Sequence, residues 1–329
     1  MTSRAHRSGI GALVALAAAA GAPHAQNYVA AEFTAKVQRI TDPPGAFAEA
    51  LRVGQVLSGF YVYDTESTDR IPSPALGVYS GYRPPCGIVV RGSCGTTFQT
   101  FGSFSDFQVA VGIGRDGSVY SVSGYAGMDP PDPAGVQFVA IDLNLTDPAA
   151  LFETDALLPH PPDLELFGGP SDLGLSGLTE EGNFGVECKL LTHREIGVPL
   201  WSTPEGGSLA AGFDVDFFLD AGVEHAGDLY VMLGSMGPAL PGFPAGCFQV
   251  PLAFDFYTGI LLRRPTSAFM PKAQGLLDDD GRAFVEATFP AGLPPALAGV
   301  LSLNAYVVLD PGNLDILDVS NPTSVELGA

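Results

Sequence analysis

Between Asp214 and Asp310 the chain breaks into short runs in which apolar and polar residues alternate, and Gly, Pro or Asp closes each run. A period of two puts successive side chains on opposite faces of a strand, so such runs predict half-buried β-strands joined by turns. The runs are Phe213 to Leu219, Asp228 to Gly234, Phe248 to Phe254, Ala283 to Phe289, Leu301 to Leu309 and Leu314 to Val319. Six or seven strands at this spacing predict a β-sandwich. Phe254 to Leu262 can also be read as a short helix, because periodicity does not separate the two over so few residues.

The same pattern occupies the region upstream. Glu32 to Ile40 alternates Phe33, Ala35 and Val37 with Thr34, Lys36 and Gln38, and Thr41-Asp42-Pro43-Pro44-Gly45 ends it. Further strands are predicted over Gln55 to Tyr63, on either side of the Cys86 to Cys94 loop, and over Thr96 to Phe104, Phe107 to Ile113, Val136 to Leu145 and Phe184 to Leu191. Gly114-Arg115-Asp116-Gly117 carries the Asp-Gly signature of a hairpin turn. Thr146-Asp147-Pro148 can cap a brief helical turn through Leu151, and Leu158 to Asp163 reads as a Pro-rich extended loop. With 41 Gly, 28 Pro and only 16% charged residues, turns outweigh long surface helices. The prediction is an all-β chain of two antiparallel β-sandwich-like domains behind a signal peptide. Residues 1–25 form the signal, 26–195 the first domain, 196–207 a linker with Pro199, Trp201, Pro204, Gly206 and Gly207, and 208–329 the second.

The signal reading rests on Arg4 and Arg7, the apolar run Ile10 to Ala20 and the small-residue exit ending at Ala25. The run falls short of the roughly 20 residues a spanning helix needs, so no membrane span is expected in the mature chain. Export implies a periplasmic, cell-surface or extracellular protein. A formal charge of -21 repels nucleic acid and anionic membranes. The four cysteines, an even number in an exported chain, predict disulfides, with Cys86–Cys94 as the local pair and Cys188–Cys247 as a long-range pair joining the domains. No C-x-x-C pair supports a zinc site.

No catalytic constellation is legible. His160, His193 and His225 are the histidines outside the signal; His193-Arg194-Glu195 lacks the second His of a zinc-protease helix, and His225 sits where a turn is expected. Gly174-Leu175-Ser176-Gly177 is not a G-x-S-x-G elbow. Asp278-Asp279-Asp280 could offer oxygen ligands to Ca²⁺, though Asp280-Gly281 before Arg282 is also what a hairpin turn requires. Asp214, Asp216 and Asp220 share one strand face and read as solvated. Tyr79, Tyr82, Phe98, Phe101, Phe104 and Tyr125 crowd around the cysteine loop, as core packing or, if they face solvent, as a carbohydrate platform.

Two resemblances add location. Phe33 to Ile40, Val53 to Asp64 and Phe138 to Phe167 resemble exported bacterial proteins of the PEP-CTERM-associated kind, although the chain ends Val325-Glu326-Leu327-Gly328-Ala329 instead of in a sorting tail. Asp220-Ala221-Gly222, His225 to Ser235, Leu277-Asp278, Gly281-Arg282-Ala283, Phe289 to Pro294 and Ala305 to Asp310 resemble a C-terminal β-sandwich module of exported planctomycete-type bacterial proteins. The resemblances imply a reusable exported module and fix no reaction. The resulting expectation is a non-enzymatic structural or binding protein with a carbohydrate or protein partner. The alternative is a Ca²⁺-supported enzyme acting on extracellular polysaccharide. Distinctive activity is expected in residues 26–195.

Overall fold

The computed structural model describes residues 27–41, 51–71, 73–92, 96–101, 106–114, 117–127, 136–149, 151–179 and 182–328. The expected signal, Cys94 and Phe104 lie outside them. The first half contributes β1 (Tyr28–Thr41), β2 (Val56–Asp64), β3 (Leu76–Gly81), β4 (Gly87–Arg91), β5 (Thr97–Gln99), β6 (Asp106–Gly114), β7 (Gly117–Gly127), β8 (Val136–Asp147), β9 (Ser171–Thr179) and β10 (Gly182–Ile196). They form one ten-stranded antiparallel sheet in the order β3-β6-β7-β8-β9-β10-β1-β2-β4-β5.

The sheet rolls onto itself. Tyr61 on β2 hydrogen-bonds Tyr120 on β7 at 3.0 Å, although the sheet order puts β8, β9, β10 and β1 between them. Phe98 of β5 likewise meets Phe184 of β10, ring centroids 5.9 Å apart. Gly124 permits the close approach: a Cβ there would lie 2.4 Å from Thr100 Oγ1 and 2.7 Å from Ile88 Cγ2. The alternation read along β1 puts Phe33, Ala35 and Val37 in the enclosed core with Leu57, Ile88, Val111, Ile141 and Leu175. Full burial of a side chain such as Phe33 or Leu57 is worth about 1.5–3 kcal/mol.

The second half is a two-layer sandwich. Its strands are β11 (Leu200–Thr203), β12 (Gly206–Ser208), β13 (Phe213–Asp220), β14 (Leu229–Ser235), β15 (Phe243–Ala245), β16 (Phe248–Val250), β17 (Gln274–Leu276), β18 (Arg282–Phe289), β19 (Leu301–Leu309), β20 (Ile316–Val319) and β21 (Thr323–Gly328), with the helix α1 (Phe256–Arg263) after β16. One sheet is β11-β13-β18; the other is β12-β21-β19-β14-β17, with β20 on β19. Val215, Phe217 and Val285 from the smaller sheet pack on Met232, Tyr306 and Val325 from the larger. The β15–β16 hairpin covers the larger sheet's far side, over Leu303 and Ala305. In α1 the Asp255 carboxylate accepts the Thr258 amide at 3.0 Å while the Thr258 hydroxyl oxygen accepts the Asp255 amide at 3.3 Å. This capping box makes the ambiguous segment a helix.

Several expectations need correction. The expected linker contains β11 and β12, which pair with β13 and β21 of the second half. Among the described residues no helical turn follows Thr146. Asp147 instead accepts the Ala149 amide at 2.6 Å and the Gly168 amide at 2.5 Å, so its carboxylate anchors a second loop. Cys86 and Cys188 are free, buried thiols, so neither Cys86–Cys94 nor Cys188–Cys247 forms. Cys86 packs its side chain at Gly81, and Cys188 faces the first core from β10, opposite Val37 of β1.

The halves meet through side chains as well as through the chain itself. The outer face of β1, β2 and β4 presents Ala30, Phe60, Val62 and Val89, against which Phe101, Val198 and Trp201 pack. Arg91 donates to Asp318 Oδ1 and to the Val319 carbonyl, both at 2.5 Å, with its guanidinium over the rings of Phe60 and Phe248. The Ser324 hydroxyl donates to the Pro84 carbonyl at 3.0 Å, and Arg83 pairs with Glu326 at 2.7 Å.

Candidate ligand-binding cleft

The smaller sheet of the second half buries alternate residues and turns the others outward. Register sets Trp201 on β11 opposite Phe218 on β13, and Phe218 opposite Phe284 on β18. Three aromatic rings therefore form a row across the sheet's outer face. Trp201 and Phe218 stack with centroids 4.1 Å apart and planes at 16°; Phe284 lies 5.3 Å from Phe218, tilted by 53°. Phe284 is 43% exposed, while its neighbour Val285 is buried in the core.

The row lines a cleft of about 1050 Å³ where the two halves meet. Tyr28, Glu195, Ile196, Gly197 and Val198 line it from β1, from the end of β10 and from the residues that follow. His160 enters from the Pro-rich loop, and its Nδ1 is 2.9 Å from Glu195 Oε2. Across the cleft Arg282 Nε donates to Asp220 Oδ2 at 2.9 Å, and that carboxylate holds the guanidinium more firmly protonated than usual. Gly197 leaves room for this pair, since a Cβ there would fall 2.2 Å from Asp220 Oδ2 and displace that carboxylate. The cleft thus joins an apolar aromatic strip to carboxylates, an imidazole and a guanidinium, all able to bond a polar rim.

Of the expected metal ligands, Asp278 lines this cleft, but its Oδ1 accepts the amides of Asp280 at 3.0 Å and Arg282 at 2.8 Å. That carboxylate holds the turn into β18. Asp279 and Asp280 are exposed on the same turn, and no group of three or more potential metal ligands occurs among the described residues. Asp214, Asp216 and Asp220 occupy the outer face of β13 as expected.

The aromatics around the cysteine loop do not form a platform. Phe98 is buried in the rolled sheet's core, Phe101 packs on the outer face of β1, β2 and β4, and Tyr79 is buried with its hydroxyl donating to the Asp155 carbonyl at 3.0 Å; Tyr125 is half-buried and Tyr82 is exposed. His193 is buried in the first core. Its Nδ1 donates to the Pro162 carbonyl at 2.8 Å, leaving Nε2 to accept the Tyr61 hydroxyl at 2.8 Å. His225 contacts Asp228 at 3.0 Å within a turn.

The sequence masks the aromatic row, because Trp201, the single tryptophan, sits in a segment whose prolines read as linker. The available signal was its place between Leu200 and Ser202, both buried, which is the alternation of a strand. No family model matches the chain, and no curated protein or solved structure is detectably similar to it.

Proposed function

We propose that this is an exported, non-enzymatic carbohydrate-binding protein of the cell surface or its surroundings. The observation that carries the reading is the Trp201, Phe218 and Phe284 row in a cleft edged by carboxylates. A pyranose has an apolar C–H face and a belt of hydroxyls. An aromatic strip takes the first without stranding polar groups, and carboxylates accept from the second. At about 1050 Å³ the cleft lies just above the roughly 300–1,000 Å³ of small-ligand sites, which suits several linked sugars. The export reading comes from the N-terminal segment with its Arg4, Arg7 and Ile10 to Ala20 run.

The test is calorimetric titration of the purified protein with a panel of neutral oligosaccharides, repeated with Phe284→Ala. Removing this exposed anchor should weaken binding about tenfold, as expected for a contact worth more than about 1 kcal/mol. Silence across the panel, together with turnover of a polysaccharide that requires added Ca²⁺, would defeat the proposal in favour of an enzyme.

A further inference from the structure

On the side toward β13's start the aromatic row is bordered by Thr203, Asp216 and Glu286, so its only charges there are carboxylates. Asp216 of β13 lies directly opposite Glu286 of β18, one step along the outer face from Phe218 and Phe284, and Asp214 follows on the same face. Like charges directly opposed across two strands are destabilising, so this face keeps an arrangement that the fold alone does not favour. Beyond the row on its other side is the Asp220–Arg282 pair, and the cleft also holds Glu195 and Asp278. Arg282 is the only guanidinium or ammonium among the described cleft-lining residues, against the three carboxylates of Glu195, Asp220 and Asp278. The chain around them carries a formal charge of -21.

Resting on the carbohydrate reading, we infer that the aromatic row of the cleft, together with Asp216 and Glu286 just beyond the cleft lining, selects oligosaccharides bearing protonated amino groups, meaning amino sugars that are not N-acetylated. Sugar rings lie along the aromatic row, and an ammonium on a ring over Phe218 or Phe284 points at Asp216 and Glu286. There it relieves their mutual repulsion and forms hydrogen-bonded ion pairs, whereas an acetamide offers a single N–H and no positive charge. A uronate or sulfate in the same position meets two carboxylates and is rejected. Each ammonium placed about 4 Å from a carboxylate in a water-exposed cleft gains about fivefold in affinity. That gain shrinks as salt screens it.

The experiment compares glucosamine oligomers, their N-acetylated counterparts of equal length and oligogalacturonate by calorimetry at low and high salt, below the amine pKa. The amino form should bind about fivefold tighter than the acetylated form, or more, at low salt. The ratio should fall at high salt and in the Asp216→Asn/Glu286→Gln variant, and oligogalacturonate should not bind. Equal affinity of the two glucosamine forms, or binding of oligogalacturonate, overturns this inference and leaves the carbohydrate reading standing. Amino-oligomer binding undiminished in Phe284→Ala also overturns it, since the attraction would then belong to the acidic surface at large. Failure of every oligosaccharide to bind defeats the carbohydrate reading itself.

Discussion

Replacing Arg91 should loosen the junction between the two halves, and its cost can be worked from the contacts it makes. The guanidinium donates to Asp318 Oδ1 and to the Val319 carbonyl, each at 2.5 Å, and stands 5.5 Å from the Phe60 ring centre and 5.7 Å from that of Phe248. Hydrogen bonds to charged groups contribute about 1.5–3 kcal/mol, and cation–π contacts at accessible sites about 0.5–1 kcal/mol each. The side chains of Arg91 and Asp318 keep 21% and 33% of their exposure, so Asp318 regains water when its partner is removed and part of the loss is recovered. Arg91→Ala should therefore cost about 2–3 kcal/mol. For roughly 300 residues unfolding together that is a fall of about 3–5 °C in Tm. Arg91→Lys keeps the charge but not the two-pronged geometry, and should lose about half as much. Urea denaturation of Arg91→Ala, Asp318→Ala and the double variant closes a cycle whose coupling should be about 1 kcal/mol. A coupling indistinguishable from zero, or Arg91→Ala melting with the parent, would refute the argument that this ion pair fastens the halves.

Burial pushes the thiols of both Cys86 and Cys188 up to about 12, so at pH 8 about one part in ten thousand is thiolate. Neither should react with a disulfide reagent in the folded protein, and both should react once it is unfolded; reaction of the native protein within minutes would contradict their placement. Burial holds the His193 imidazole below its usual range, although the Pro162 carbonyl and Asp163 pull it upward. The unfolded chain then binds the proton more readily, so this stability is present above about pH 6.5 and is lost as pH falls through the folded value, at up to about 1.4 kcal/mol per pH unit. His193→Phe should flatten urea midpoints between pH 7 and 5 relative to the parent, and unchanged slopes would exclude His193 as their source. Gly197→Ala puts a methyl on Asp220 and should separate Asp220 from Arg282. Oligosaccharide binding should weaken severalfold while the unfolding free energy falls by no more than the roughly 1 kcal/mol of an exposed ion pair; intact affinity would mean that the pair plays no part in the cleft.

Strands with strict alternation were legible because one face is buried and the other is not: Phe33, Ala35 and Val37 on β1, or Val215, Phe217 and Leu219 on β13. β9 was not, since Gly174, Ser176 and Gly177 have little intrinsic preference for a strand; pairing with β8 on one side and β10 on the other overrides it. β11 has only four residues between Pro199 and Pro204 and is a strand because β13 accepts it. The aromatic row depends on register between residues as far apart as Trp201 and Phe284, which no local pattern encodes. Proximity in sequence also misleads. Cys86 and Cys94 look like a pair on spacing, whereas Cys86 points into the core. Of the aromatics that crowd the cysteine loop, Phe98 becomes interior as the sheet rolls and Phe101 is covered by the second half, neither of which local sequence encodes.

The position of β1 in the ten-stranded sheet sets a schedule for folding. Its first partner, β2, follows closely, but its other edge waits for β10, the last strand of that sheet to leave the ribosome. Until Gly182–Ile196 arrives, a strand of 14 residues offers open amides and carbonyls to any passing chain. Pairings between such distant segments form slowly. The first half therefore completes its sheet only as Leu200–Thr203 is about to begin the second, which makes the interval after synthesis of β2 the period of greatest exposure to aggregation.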